Sequence, residues 1–120
     1  MTKKVWEVIE EEHLTLEKLA KIIDHSLVAP LITDKEVKEG CEIGRRYRTN
    51  SVFVKSYHIP LAVKLLKGTE VKVGTVIGFP HGCSTPDTKA FEVHQAVEMG
   101  AEELDVVSNL EPLWRGITSF

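Results

Sequence analysis

The sequence predicts an α/β fold in which a parallel sheet is built from successive strand, helix, strand crossovers. Three observations carry that prediction. Strand-like and helix-like segments alternate regularly along the chain, a pattern that specifies parallel strands joined by helices. Each strand-to-strand step takes about 20 to 35 residues, the size of one βαβ unit. Capping residues and glycines also fall where such helices should begin and end.

The first helix is expected from Thr15 to about Ile22, with Thr15 as N-cap and Leu16, Leu19, Ala20 and Ile23 on its buried side. A brief strand then leads into Asp24-His25-Ser26. Thr33-Asp34-Lys35-Glu36 forms a capping box, in which the Thr33 hydroxyl and the Glu36 carboxylate satisfy free backbone amides. Its helix runs to about Arg48. Ser51-Val52-Phe53-Val54-Lys55 is β-branched and aromatic, as a buried strand requires, and Pro60 then suits the first turn of a helix ending at Gly68. Val71 to Ile77 is the clearest strand, and Gly78-Phe79-Pro80-His81-Gly82 after it is a tight loop. Ser84 is the expected cap of the next helix, with Pro86 inside its first turn, Asp87 three residues after the cap and Gly100 at its end. That helix carries Ala90, Val93, Val97 and the flanking Ala96 on one face. Glu103 to Val107 reads as a fourth strand. After it, Ser108 to Phe120 shows neither period.

Residues 1–120 thus read as one domain with no linker, low-complexity tract or second unit. The chain is 42% hydrophobic and 28% charged, a composition that suits a soluble globular protein, and a net charge of -3 gives no electrostatic reason to expect nucleic acid. The N-terminus turns acidic at Glu10-Glu11-Glu12 where a signal peptide would be apolar, and no apolar run approaches the ~20 residues that cross a bilayer. A cytoplasmic protein is expected, with no membrane partner. Cys41 and Cys83 match no paired or zinc-ligand spacing, so reduced thiols are expected and a metal site is not.

In a parallel α/β architecture, polar residues at the C-terminal ends of strands face the place where substrates bind. Asp24 is expected to end the first strand and Lys55 the second; the Gly78 to Gly82 loop follows the third, and Asp105 lies within the fourth. Each has a plainer alternative. Asp24 could cap a turn, Lys55 could snorkel at the surface, and His25 and His81 could be structural hydrogen-bonders. Asp105 is flanked by Leu104, Val106 and Val107, so burial would cost several kcal/mol without a cationic or hydrogen-bonding neighbour. A solvated strand end is its alternative. The glycine-rich loop has neither a GxGxxG nor a Walker pattern.

Four segments together carry a resemblance: Leu19-Ala20-Lys21-Ile22-Ile23-Asp24-His25-Ser26-Leu27, Ser51-Val52-Phe53-Val54, Val73 to Gly82, and Gly100 to Val107. Their order and spacing resemble successive landmarks of the deoxyribose-phosphate aldolases, over about Leu19 to Asn109. The resemblance implies a (β/α)₈ barrel, here a truncated half barrel of about four parallel strands, since such barrels typically need roughly 250 residues. It implies a class I aldolase that cleaves 2-deoxyribose 5-phosphate to glyceraldehyde 3-phosphate and acetaldehyde through a lysine Schiff base on the sixth strand, with no metal or other cofactor. It assigns Asp105 to the acidic member of the proton relay, and Asp24 and Ser26 to positions near the substrate hydroxyls. The expected partner is a small phosphorylated sugar.

The chain departs from the family in three ways. The Schiff-base lysine, its helper lysine and the phosphate-binding loops belong to the second half. Phe53 stands where some members have a cysteine, and Lys55, on the same face as Phe53 by strand alternation, is the one local candidate for a surrogate lysine. The stretch 110–120 is aberrant: Glu111 to Phe120, written in suitable codons and read in a shifted frame, yields Ala-Leu-Val-Glu-Gly-Asp-Tyr-Glu-Phe, close to the family's continuation. A frameshift is the expectation drawn from it. Four strands cannot close a barrel, so exposed edges and self-association are expected, and a non-catalytic interaction module is the competing reading.

Overall fold

The computed structural model describes residues 14–110 of the chain. Of the expected break in pattern over 108–120, residues 111–120 lie outside the described residues, as does the N-terminal segment 1–13. Four strands form a single sheet in the order β1-β2-β3-β4, every pair parallel. The strands are β1 Asp24–Leu27, β2 Ser51–Val54, β3 Lys72–Ile77 and β4 Glu103–Val106. The helices are α1 Leu16–Ala20, α2 Asp34–Tyr47, α3 Ile59–Leu66 and α4 Pro86–Glu98, with a 3₁₀ turn at Ser56–His58 ahead of α3.

Local chemistry accounts for the boundaries. The Thr33 hydroxyl accepts from the Glu36 amide at 3.3 Å while the Glu36 carboxylate accepts from the Thr33 amide at 2.8 Å, the reciprocal pair expected of a capping box. The Thr33 hydroxyl, which also donates to the Glu36 carboxylate at 2.7 Å, and then the Thr33 amide hold the Glu36 carboxyl below its ordinary range. The cap of α4 is Thr85 and not Ser84: Thr85 has the extended backbone of an N-cap and its hydroxyl accepts from the Thr88 amide. Pro86 then occupies the first helical position, where a missing N–H costs nothing.

One side of the sheet is packed by helices. Leu27, Val52, Val54, Val73 and Ile77 bury against Val37 and Cys41 of α2, Ile59, Ala62 and Leu66 of α3, and Ala96 of α4. Full burial of a side chain such as Ile59 or Val37 stabilises by roughly 1.5 to 3 kcal/mol. Alternation places Asp24, Ser26, Ser51, Phe53, Lys72, Gly74, Val76, Glu103 and Asp105 on the opposite, lumen side.

The amphipathic faces of the two outer helices are less buried than their sequences predict. Ala20, Val93 and Ala96 meet the core, but Leu16, Leu19 and Ile23 at one end of the sheet and Ala90 and Val97 at the other are exposed. Among the described residues nothing extends the sheet past β1 or β4. The sides of α1 and α4 that would face a further unit therefore remain open.

Candidate active site

Each strand begins on a polar residue: Asp24, Ser51, Lys72 and Glu103. Asp24, Ser51 and Lys72 are in register and form one layer at the N-terminal end of the lumen face, and the side chain of Glu103, in register with Gly74, reaches back to it. One carboxylate oxygen of Asp24 accepts from the Ser51 hydroxyl at 2.6 Å and from the Asn50 side-chain amide at 2.9 Å. The Asn50 amide also reaches Glu103 at 3.3 Å, and Glu103 pairs with the Lys72 ammonium at 2.7 Å. The bond from Asn50, then that from Ser51, holds the Asp24 carboxyl below its usual range, with the Lys72 charge adding to them. Glu103 in turn raises the Lys72 ammonium.

This placement corrects the expectation that Asp24 ends the first strand; it begins it. The chain leaving α1 folds back on itself, with the Ile22 amide on the Leu19 carbonyl and the Ile23 amide on the Ala20 carbonyl, both at 3.1 Å. Extended backbone cannot start before Asp24. Ser26 lies one layer higher, in register with Phe53, and its hydroxyl makes a long 3.4 Å contact to the Asp24 carbonyl.

Asp105 pairs in register with Val76, one residue before the C-terminal end of β4. The neighbour expected from its apolar flanks is not there: among the described residues no hydrogen bond or ion pair engages its carboxylate, which is exposed. An open lumen leaves it hydrated, so the cost that would have demanded a partner does not arise. Asp24, Ser26 and Asp105 share the lumen face, but no bond joins Asp105 to the other two.

Lys55 directly follows β2, as expected, but its ammonium is committed to the C-terminal rim. It donates to the Pro30 carbonyl at 2.9 Å and stands 4.9 Å from the centre of the Tyr57 ring. A cleft of ≈ 320 Å³ opens there between the loops that follow β1, β2 and β3, lined by Pro30, Lys55, Tyr57, Val76, Phe79 and Glu92. The Glu92 carboxylate accepts from the Gly78 amide at 2.7 Å and so fixes the start of the glycine-rich loop. Gly78 and Gly82 both have positive φ, 63° and 66°, which glycine tolerates without strain.

Sequence reasoning missed Lys89. It lies in the first turns of α4, only 7% exposed, and its ammonium donates to the Gly82 carbonyl at 2.9 Å, the Val107 carbonyl at 2.7 Å and the Asn109 side chain at 2.9 Å. All three donor hydrogens are used. The lysine fastens the loop after β3 to the end of β4. Its helical position in line with Val93 and Ala96, on the core side of α4, was the available signal. His58 was also passed over: it is buried at the start of α3, with one ring nitrogen 3.0 Å from the Asp34 carboxylate. Among the described residues no group of three or more histidine, cysteine, aspartate or glutamate side chains is arranged to hold a metal ion.

Comparison with known proteins adds a family to this geometry. A deoxyribose-phosphate aldolase of Clostridium tetani is 45% identical over 96 residues, covering 80% of this chain and 44% of that protein. One from Geobacillus sp. is 47% identical over 98 residues, covering 82% and 44%. The chain is homologous to part of the deoxyribose-phosphate aldolases. Solved structures agree: the tetrameric deoxyribose phosphate aldolase of Aeropyrum pernix superposes with a TM-score of 0.80 at 28% identity, covering 91% of this chain and 48% of that one. The aldolase QR15 does so with a TM-score of 0.73 at 35% identity, covering 80% and 42%. No protein-family model matches the chain. The chain spans less than half the length of the curated aldolases it matches, and its four parallel strands form a half barrel.

Proposed function

We propose that this chain supplies the first four βα units of a cytoplasmic deoxyribose-phosphate aldolase, a carbon-carbon lyase of deoxyribonucleotide catabolism. The observation that supports this reading best is identity of 45% over 96 residues to such an aldolase. In the reaction, a lysine amine adds to the carbonyl of 2-deoxyribose 5-phosphate and water leaves, giving a protonated imine. That imine draws electrons from the adjacent carbon, so the carbon-carbon bond breaks to release glyceraldehyde 3-phosphate. Protonation and hydrolysis then release acetaldehyde. Asp105 serves the proton relay, and Asp24 and Ser26 stand near the substrate hydroxyls.

The resemblance puts the imine-forming lysine on a sixth strand, and the described sheet has four. Lys55 is a poor surrogate, because its ammonium is held at the rim by Pro30 and Tyr57. The test is a retro-aldol assay on the purified chain, read through reduction of glyceraldehyde 3-phosphate, beside a chimera in which residues 15–109 replace the matching part of the Geobacillus aldolase. Activity in the chimera, lost by about 10² to 10⁴-fold on Asp105→Asn, is expected of a proton-relay residue. An inactive chimera that folds would overturn the assignment. Turnover by the chain alone that vanishes in Lys55→Ala, with a borohydride-trapped acetaldehyde adduct on Lys55, would overturn the judgement on that lysine.

A second reading has its own observation. The apolar residues left uncovered on α1 and α4 flank the two open edges of the sheet, which favours an interaction role in which the half barrel self-associates.

A further inference from the structure

We infer that Lys89 is a positioning residue for the reaction: through two backbone carbonyls and one side-chain oxygen it sets the end of β4 and, by way of that backbone, the Asp105 carboxylate. The inference rests on the aldolase reading above. Asp105 lies two residues before Val107, and among the described residues no side chain holds its carboxylate. Within those residues, its backbone alone places it. That backbone is tied to β3 by the Glu102 amide on the Val73 carbonyl at 2.8 Å and by the Val107 amide on the Ile77 carbonyl at 3.0 Å. Ile77 ends β3, so the sheet has no further rung there. The Lys89 ammonium takes over, donating to the Val107 carbonyl at 2.7 Å and the Asn109 side chain at 2.9 Å.

The same helix sets the loop that precedes it. Lys89 and Glu92 are neighbours one turn apart on α4, and they grip opposite ends of the glycine-rich loop through opposite backbone groups. The Glu92 carboxylate accepts from the Gly78 amide at 2.7 Å, and the Lys89 ammonium donates to the Gly82 carbonyl at 2.9 Å. Both glycines fit closely to this arrangement. A Cβ at Gly78 would come within 2.8 Å of the Lys89 Cε, and one at Gly82 would overlap the Ser108 carbonyl oxygen. The loop after β3 and the chain that follows Asp105 are thus packed around one lysine side chain. A buried ammonium that meets carbonyls and no carboxylate carries a desolvation cost that an apolar side chain of similar length would not. What the charge supplies is direction, since three donor hydrogens on three acceptors fix where Val107 stands.

A double-mutant cycle separates positioning from mere stability. In the chimera that carries residues 15–109 within the Geobacillus aldolase, Lys89→Met should lower kcat on 2-deoxyribose 5-phosphate by about 10 to 10²-fold, the scale of a misplaced reacting group, while KM moves by less than about threefold. In an Asp105→Asn background the same substitution should change kcat by less than about twofold, because a residue that acts through Asp105 has nothing left to position. Lys89→Arg, which keeps donors, should recover part of the loss. In the full chain alone, Lys89→Met should shift the amide resonances of Asp105 and Val107 and leave those of β1 and β2 in place. Equal losses in both backgrounds, no loss in either, or unmoved β4 resonances would overturn the positioning role and leave the aldolase reading standing. A wild-type chimera that folds and is inactive would sink both together. Should Lys89→Met fail to fold, Asn109→Ala, at an exposed position, takes its place in the cycle. A loss on the order of threefold that vanishes with Asp105→Asn is then expected, and an unchanged kcat would overturn the inference.

Discussion

The Phe53 ring covers the face of Gly74, its register partner on the neighbouring strand, so closely that a Cβ at position 74 would overlap it. Phe53 is thereby buried although it points into an open lumen. Gly74→Ala should therefore destabilise the wild-type chain by about 1 to 3 kcal/mol, the usual cost of overpacking. In a Phe53→Ala background the same change should stabilise by about 0.5 to 1 kcal/mol, because the collision is gone and alanine loses less entropy than glycine. Urea unfolding of the four proteins completes the cycle, and additive effects would show that the ring does not depend on the glycine.

Lys89 carries a buried charge that is solvated by carbonyls and not by a carboxylate. Lys89→Met keeps the length of the side chain and removes the donors, leaving the Gly82 and Val107 carbonyls short of a partner. A loss of about 2 to 4 kcal/mol is expected. Hydrogen exchange should quicken around Val107, Ser108 and the loop from Gly78 to Gly82, and an unchanged exchange pattern would refute the fastening role.

Much of the fold was legible because it depends on neighbours in sequence. The capping box at Thr33 and Glu36, the proline inside α4 and the strand read from Val71 to Ile77, which forms over Lys72–Ile77, are set within a turn or a strand. The errors have one physical source, which is that burial is decided by what stands beyond the segment. Leu19 and Val97 carry the pattern of buried residues and are exposed because no described unit lies outside them. Asp105 looked costly among its apolar neighbours and is hydrated for the same reason. Asp24 was placed at the wrong end of its strand because a fold-back in backbone hydrogen bonds, and not a breaker residue, ends α1. Lys89 was overlooked because its acceptors are mostly backbone carbonyls, which carry no residue signature.

The acid dependence of stability should report on Asp24. Its carboxyl is held below the usual value by the bonds from Asn50 and Ser51, so the ionised form is favoured by folding. The stability this brings is complete above the unfolded value of about 3.9 and is lost as pH falls through the lower folded value. Asp24→Asn should cost about 1 kcal/mol or less at neutral pH, since solvent screens an exposed carboxylate. The gap between variant and wild type should narrow only below about pH 4. Denaturation series at neutral pH and in acid would check it; a gap that closes already near pH 6 would point to a different group.

The two thiols should separate by reactivity. Cys41 is buried against the sheet in α2, and burial pushes its thiol up to about 11. Cys83 is exposed in the loop before α4. A disulfide-forming aromatic reagent at mildly alkaline pH should thus modify one thiol quickly and the second only as the molecule opens, because the thiolate is the reacting form and Cys41 is both protonated and covered. Adding denaturant should release the second equivalent, and its rate in dilute denaturant should follow the unfolding of the α2 face. Rapid modification of both thiols in the native chain would mean that α2 does not stay closed over the core.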